Sequence, residues 1–131
     1  MKFMLMMQGT RKGWDSMGSW RPEEIVEHIR FMKRLVEELR ATGELLLAEG
    51  LDVPANAKIV KAAREDAPLV SDGPFAETKE FLAGFWLVEV ASAQRAHAIA
   101  ARASTAPGPN GAPMAIPIEV RQVMSAPSIE P

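Results

Sequence analysis

Nine residues, Asp72-Gly73-Pro74-Phe75-Ala76-Glu77-Thr78-Lys79-Glu80, bring carboxylates, one lysine and an obligatory turn together, and they run straight into Phe81-Leu82-Ala83-Gly84-Phe85-Trp86-Leu87-Val88-Glu89-Val90. In that second stretch Glu89 is the one charge among ten residues. A carboxylate held where a polar turn meets a buried strand is a candidate proton carrier. Lys79 is a candidate to lower the Asp72 pKa, to bind an anionic ligand or to orient a substrate. The ordinary role of an Asp before Gly-Pro is structural, its side chain bonding amides two residues on, with Phe75 as anchor. Lys79 and Glu80 read equally as solvated flank.

Other chemistry-bearing residues are sparse. His28 falls in a helical pattern and is a second candidate proton carrier, whereas His97, in an alanine-rich helix, reads as a surface residue. Glu49, Glu89 and Arg121 sit in strand-like stretches, where a charge needs a partner or solvent. Pairing of Glu49 or Glu89 with Arg121 is the structural expectation, and Glu49 and Arg121 are ligand-binding candidates. Trp86 is a candidate cavity wall, although an aromatic residue on a central strand is more often core. The eight methionines fill a core or line a cavity that accepts varied apolar ligands.

Composition narrows the chemistry. With 131 residues the chain is the size of one domain, whose folding buries roughly two thirds of the extended surface. Fifteen basic against seventeen acidic residues leave a net charge of -2, so there is no global positive field to hold a nucleic acid or an anionic membrane. No cysteine means no disulfide, no thiolate metal site and no cysteine nucleophile, and two histidines are too few for a histidine-built metal centre. Nucleotide and hydrolase motifs (GxGxxG, P-loop, GxSxG) are missing, so an enzyme here would work without metal or bound cofactor. The apolar run of residues 1–7 breaks at Gln8, short of a signal peptide, and no stretch reaches the ~20 apolar residues of a membrane span. The expectation is a soluble cytoplasmic protein.

The elements that must position these residues follow from periodicity. Residues 3–7 are apolar at every position, as in a strand covered on both faces. Residues 9–20 alternate turn formers with charges and read as a surface loop, with Trp14 and Trp20 as exceptions. Pro22-Glu23-Glu24 starts a helix that runs to about residue 42, because proline forfeits only an orphan amide and the carboxylates meet the positive helix end. Ile25, Ile29, Met32, Val36 and Leu39 form its expected buried stripe, with Lys33/Glu37 and Arg34/Glu38 paired outside. Gly43 supplies the left-handed stop.

Residues 45–51 read as a strand ended by Asp52-Val53-Pro54. Residues 58–64 and 69–71 read as hairpin arms around residues 65–68. Residues 81–90 form a second central strand, with Gly84, Trp86, Val88 and Val90 on one face and Phe85, Leu87 and Glu89 on the other. Ser92 caps a helix over residues 93–104, whose Ala96, Ile99, Ala100 and Ala103 make a small-residue face. Residues 105–113 are a Pro/Gly-rich loop, residues 116–124 the last strand and residues 125–131 a tail.

This order is an α+β, ferredoxin-like split βαβ domain with one layer of helices on an antiparallel sheet and an extra β-hairpin. Two helices cover one sheet face, yet both central strands are apolar on both faces. A bare face of that size exceeds what monomers tolerate, so a homodimer packed sheet against sheet is expected.

The run from Asp72 to Glu80 resembles the signature of the DGPF branch of the YCII-related family. The similarity continues through Met1-Lys2-Phe3-Met4-Leu5, Glu37-Glu38-Leu39, Ala48-Glu49-Gly50-Leu51, Gly84-Phe85-Trp86-Leu87 and Ile118-Glu119-Val120-Arg121-Gln122-Val123. The resemblance implies a dimeric α+β barrel, similar in fold to small lactone isomerases and monooxygenases. Some YCII-like members carry a helix histidine proposed to act with an aspartate. That position is Met32 here, and His28 lies one turn earlier on the same side. The branch is also similar to proteins whose genes neighbour those of extracytoplasmic-function sigma factors, which implies a regulatory role and a sigma-factor association.

Two functions follow as expectations. The first is a small-molecule-binding or regulatory homodimer. The second is a cofactor-independent isomerase, lyase or monooxygenase-like enzyme that uses Asp72 or His28 as proton carrier, with Lys79 orienting a small metabolite.

Overall fold

The computed structural model describes residues 1–64, 66–74 and 79–129. Strand β1 (Lys2–Thr10) leads through a short helix α1 (Arg11–Met17) to a long helix α2 (Pro22–Ala41) and strand β2 (Leu45–Gly50). Strands β3 (Lys58–Arg64) and β4 (Ala67–Asp72) form a hairpin, followed by β5 (Glu80–Glu89), α3 (Ala93–Ser104) and β6 (Ile118–Gln122). The main sheet has the order β2-β5-β1-β6 and is antiparallel throughout, while β3 and β4 form a separate two-stranded sheet. β5 lies between β1 and β2, so the β1-α2-β2 unit is split and the fold is ferredoxin-like α+β.

The side-chain alternation of β5 is as expected: Trp86 and Val88 are buried on the helix side, and Phe85 and Leu87 lie on the other. Phe3 pairs with Val88 and Leu5 with Trp86, and these four meet Leu35 and Leu39 of α2 and the small face Ala96, Ile99, Ala100 and Ala103 of α3. Alanines at those α3 positions let the helix lie close on the sheet. Ser92 caps α3 by accepting the Arg95 N–H at 3.2 Å. The α2 helix stops at Gly43, whose φ of 77° is a backbone conformation that favours glycine. Arg95 grips Glu44 with two bonds of 2.8 Å, tying α3 to the start of β2, and Arg102 pairs with Glu38 across the two helices.

Several expectations change. Residues 9–20 are not a surface loop: β1 continues to Thr10, whose hydroxyl oxygen accepts the Gly13 N–H at 3.0 Å and caps α1. Polar composition concealed this helix because it buries no residue. The buried stripe of α2 is rotated from the one expected. Glu24, Leu35 and Leu39 are buried, with His28, Phe31, Met32 and Val36 half-buried, whereas Ile25, Val26 and Ile29 are exposed. Glu38 takes Arg102 as its main partner, with Arg34 a weaker one. The second hairpin arm begins at Ala67, two residues earlier than expected, and Glu65, expected in the turn, lies outside the described residues.

The expected ion pair of Glu49 or Glu89 with Arg121 does not form within the subunit. All three are exposed on separate strands, and Glu89 instead faces the N-terminal amine at 3.4 Å. The residue 105–113 loop is ordered by an antiparallel bridge between Pro107 and Pro113 and a 3-10 turn at Pro109–Gly111. The described part of the C-terminal tail, residues 125–129, is exposed.

Opposite the helices the sheet presents Met4 beside Leu87, Met6 beside Phe85, and Leu47. Neither α2 nor α3 covers this face. No helix among the described residues is long and apolar enough to cross a membrane.

Candidate functional site

His28 is the polar group around which a cavity forms. It lies on the buried side of α2, and its Nδ1 is 3.0 Å from the carbonyl oxygen of Pro107. A carbonyl only accepts, so Nδ1 carries the proton, and in the neutral ring Nε2 keeps its lone pair. The ring is also held edge-on by Trp20, with centroids 5.8 Å apart and planes at 75°.

The partner loop is pinned in turn. The Glu24 carboxylate accepts the Asn110 N–H at 2.5 Å and the Arg21 N–H at 2.9 Å, with the Arg21 guanidinium at 3.3 Å. These bonds hold the Glu24 pKa down at about 2, the Asn110 amide contributing most. Gly108 lies against Trp20 and Met114, where a side chain would meet Met114 Cγ at 2.8 Å.

Two lobes of the cavity meet at Met7, His28 and Ala83. The first, of about 270 Å³, lies between α2 and the sheet and is lined by Met32, Val36, Ala48, Gly84 and Trp86. Small residues on β2 and β5 leave this room, and Gly84 is required because a Cβ there would sit 2.9 Å from the Glu49 carbonyl oxygen. The second lobe, of about 250 Å³, lies under α1 and is lined by Gly9, Trp14, Met17, Met114 and Ile116. Its walls carry no carboxylate, lysine or arginine.

The structure therefore brings His28, Trp86 and Glu49 to one cavity. Trp86 is 6% exposed, and Glu49 borders the lobe from the edge strand while its side chain is exposed. His28 and Met32 line the same wall, as their spacing of one turn requires. Asp72, Lys79 and Arg121 lie elsewhere. Asp72 ends β4 with its side chain 88% exposed and its Oδ1 2.6 Å from Lys58 Nζ across the hairpin. Lys79 is exposed beside the start of β5, and Arg121 is exposed on β6 opposite Met4. Phe75, Ala76, Glu77 and Thr78 of the signature lie outside the described residues.

Sequence reasoning missed Met7, Trp14, Ala83, Met114 and Ile116 as cavity walls. The one available signal was the pair of tryptophans in an otherwise polar stretch. Among the described residues no three His, Asp or Glu side chains gather as a metal site would need.

An anchored imidazole in an apolar two-lobed cavity can orient a small ligand or exchange one proton with it. A comparison with curated proteins gave no match. The family model of the YCII-related domain matches residues 1–111, and the chain belongs to the YCII-related family.

Proposed function

We propose that the protein is a small-molecule-binding homodimer whose ligand occupies the cavity at His28. One observation carries the reading: His28 has one ring nitrogen committed to Pro107 and the other left over at the junction of two apolar lobes. Such a mostly apolar cavity with few polar groups selects an apolar molecule and fixes its orientation through one or two hydrogen bonds.

The homodimer is supported by the sheet face that carries Met4, Met6, Phe85, Leu87 and Leu47, which a second copy of that face would cover. With the two-fold axis parallel to the strands, the β2 edge of one copy faces the β6 edge of the other.

The test is ligand-observed NMR against a panel of small apolar metabolites, with Ala83→Leu as the blocked variant and Asp72→Asn as a distant control. Binding by wild type and Asp72→Asn, lost in a folded Ala83→Leu, is the expected result. No binding by wild type, or equal binding by Ala83→Leu, overturns the reading.

A cofactor-independent enzyme is the second reading, favoured by the fixed tautomer, because an unprotonated Nε2 can take a proton from a bound carbon acid. Deuterium uptake from heavy water into a carbonyl compound, lost in His28→Gln, would support it. An exchange rate equal in wild type and variant would sink it.

A further inference from the structure

The second lobe holds an unpaid polar group. Trp14 Nε1 is buried and, among the described residues, is the buried side-chain nitrogen or oxygen without a hydrogen-bond partner. Leaving such a donor unmade costs about 1–3 kcal/mol, so it calls for a reason. The two hydroxyl groups that line the same lobe bond to Gly13: Ser16 donates to its carbonyl at 2.8 Å, and the Thr10 oxygen accepts its N–H at 3.0 Å.

Gly9 lies directly under the indole, where a Cβ would be 3.0 Å from Nε1. The donor is closed off in this state, so an acceptor reaches it only when the indole turns or α1 lifts. Helix α1 is suited to that movement, since it buries no residue and is short.

We infer that the lobe under α1 takes the polar end of an apolar ligand, a neutral carbonyl oxygen that accepts the Trp14 indole N–H while the rest of the molecule extends past His28. This rests on the reading of the His28 cavity as a ligand site. Neutrality follows from the walls, because no lysine or arginine lines the lobe and neutral His28 keeps its one proton on Nδ1 toward Pro107, so a carboxylate buried there would be strongly disfavoured. A carbonyl satisfies the orphan donor at no such cost. α1 is then the cover of the site, and Trp14 its polar contact.

The experiment compares 2-octanone with 2-methyl-1-octene, in which the carbonyl oxygen becomes a methylene of similar shape. Protein labelled with 15N at its tryptophan indoles reports the Trp14 N–H, assigned with Trp14→Phe, and methionine methyl signals report occupation of the cavity. The expected result is a downfield shift of the Trp14 N–H with the ketone alone. The ketone should bind about five- to tenfold tighter than the alkene, the worth of one hydrogen bond, and Trp14→Phe should abolish that preference.

Equal affinities in wild type, with the Met7 and Met17 methyls perturbed by both probes, overturn this inference and leave the binding site standing. Absence of any perturbation by either probe overturns both. The wild-type comparison decides even if Trp14→Phe does not fold.

Discussion

The Nδ1 nitrogen of His28 donates to the carbonyl oxygen of Pro107, 3.0 Å away in space and 79 residues away in sequence. That bond joins the long helix to the Pro/Gly-rich loop and at the same time sets the state of the nitrogen that remains for a ligand. Neutral His28 should therefore carry its proton on Nδ1, as long-range 1H–15N correlation will report. His28→Asn, which keeps a donor near the Nδ1 position, should retain most of the stability. His28→Gln should lose about 1 kcal/mol in urea denaturation. The opposite tautomer, or an equal effect of the two variants, would remove the anchoring role.

Glu24 should make the protein acid-labile. Its carboxyl is depressed from 4.5 to about 2 by the Asn110 and Arg21 amides, and Glu44 is depressed from 4.5 to about 2, chiefly by Arg95. A depressed carboxylate contributes stability that is fully present above its unfolded pKa and is lost as pH falls through the folded value. Stability should thus decline from about pH 4.5 towards pH 2. Glu24→Gln should flatten that limb and speed exchange of the Asn110 amide, with Glu44 accounting for part of the slope that remains. An unchanged acid limb in the variant would contradict the clamp.

The rotation of the α2 stripe makes a direct comparison possible. Leu35, 1% exposed, should cost roughly 2–5 kcal/mol when cut to alanine. Ile29, 46% exposed, should cost within about 0.5 kcal/mol on the isolated subunit. Denaturant midpoints of the two variants check this, and similar losses at both sites would restore the stripe expected from spacing.

Gly84→Ala should push β2 away from β5, because the new methyl group would stand 2.9 Å from the Glu49 carbonyl oxygen. The expected loss is about 1–3 kcal/mol, together with faster amide exchange along β2. Gly50→Ala, with open space around its Cβ position, should be near neutral. Equal stability of the two variants would refute the close approach.

The proposed sheet-to-sheet dimer predicts that Phe85→Glu converts a dimer into a monomer. Sedimentation at micromolar concentration reads this directly. A wild-type monomer would dispose of the dimer without touching the His28 cavity, which is built within one subunit.

Element order was legible from the sequence because each segment carries its own period. The α3 boundaries, its Ser92 cap and its alanine face, the two faces of β5, and the Gly43 stop all follow from local patterning and turn chemistry. Those features depend on neighbours within a few residues, so one chain read alone suffices for them. Helix α1 escaped because a helix that buries no residue carries no apolar stripe.

The site was legible only in part. His28, Trp86 and Glu49 were singled out and do border one cavity, while Asp72 drew notice through its motif and stands in solvent beside Lys58. Tertiary structure alone decided which side of α2 faces inward, since the helix is apolar on Ile25 and Ile29 as well as on Leu35 and Leu39. It also set Pro107 against His28 and Gly108 against Trp20. Those meetings join segments from different parts of the chain, and their distances are fixed by how helices, loop and sheet pack, not by any period within one segment.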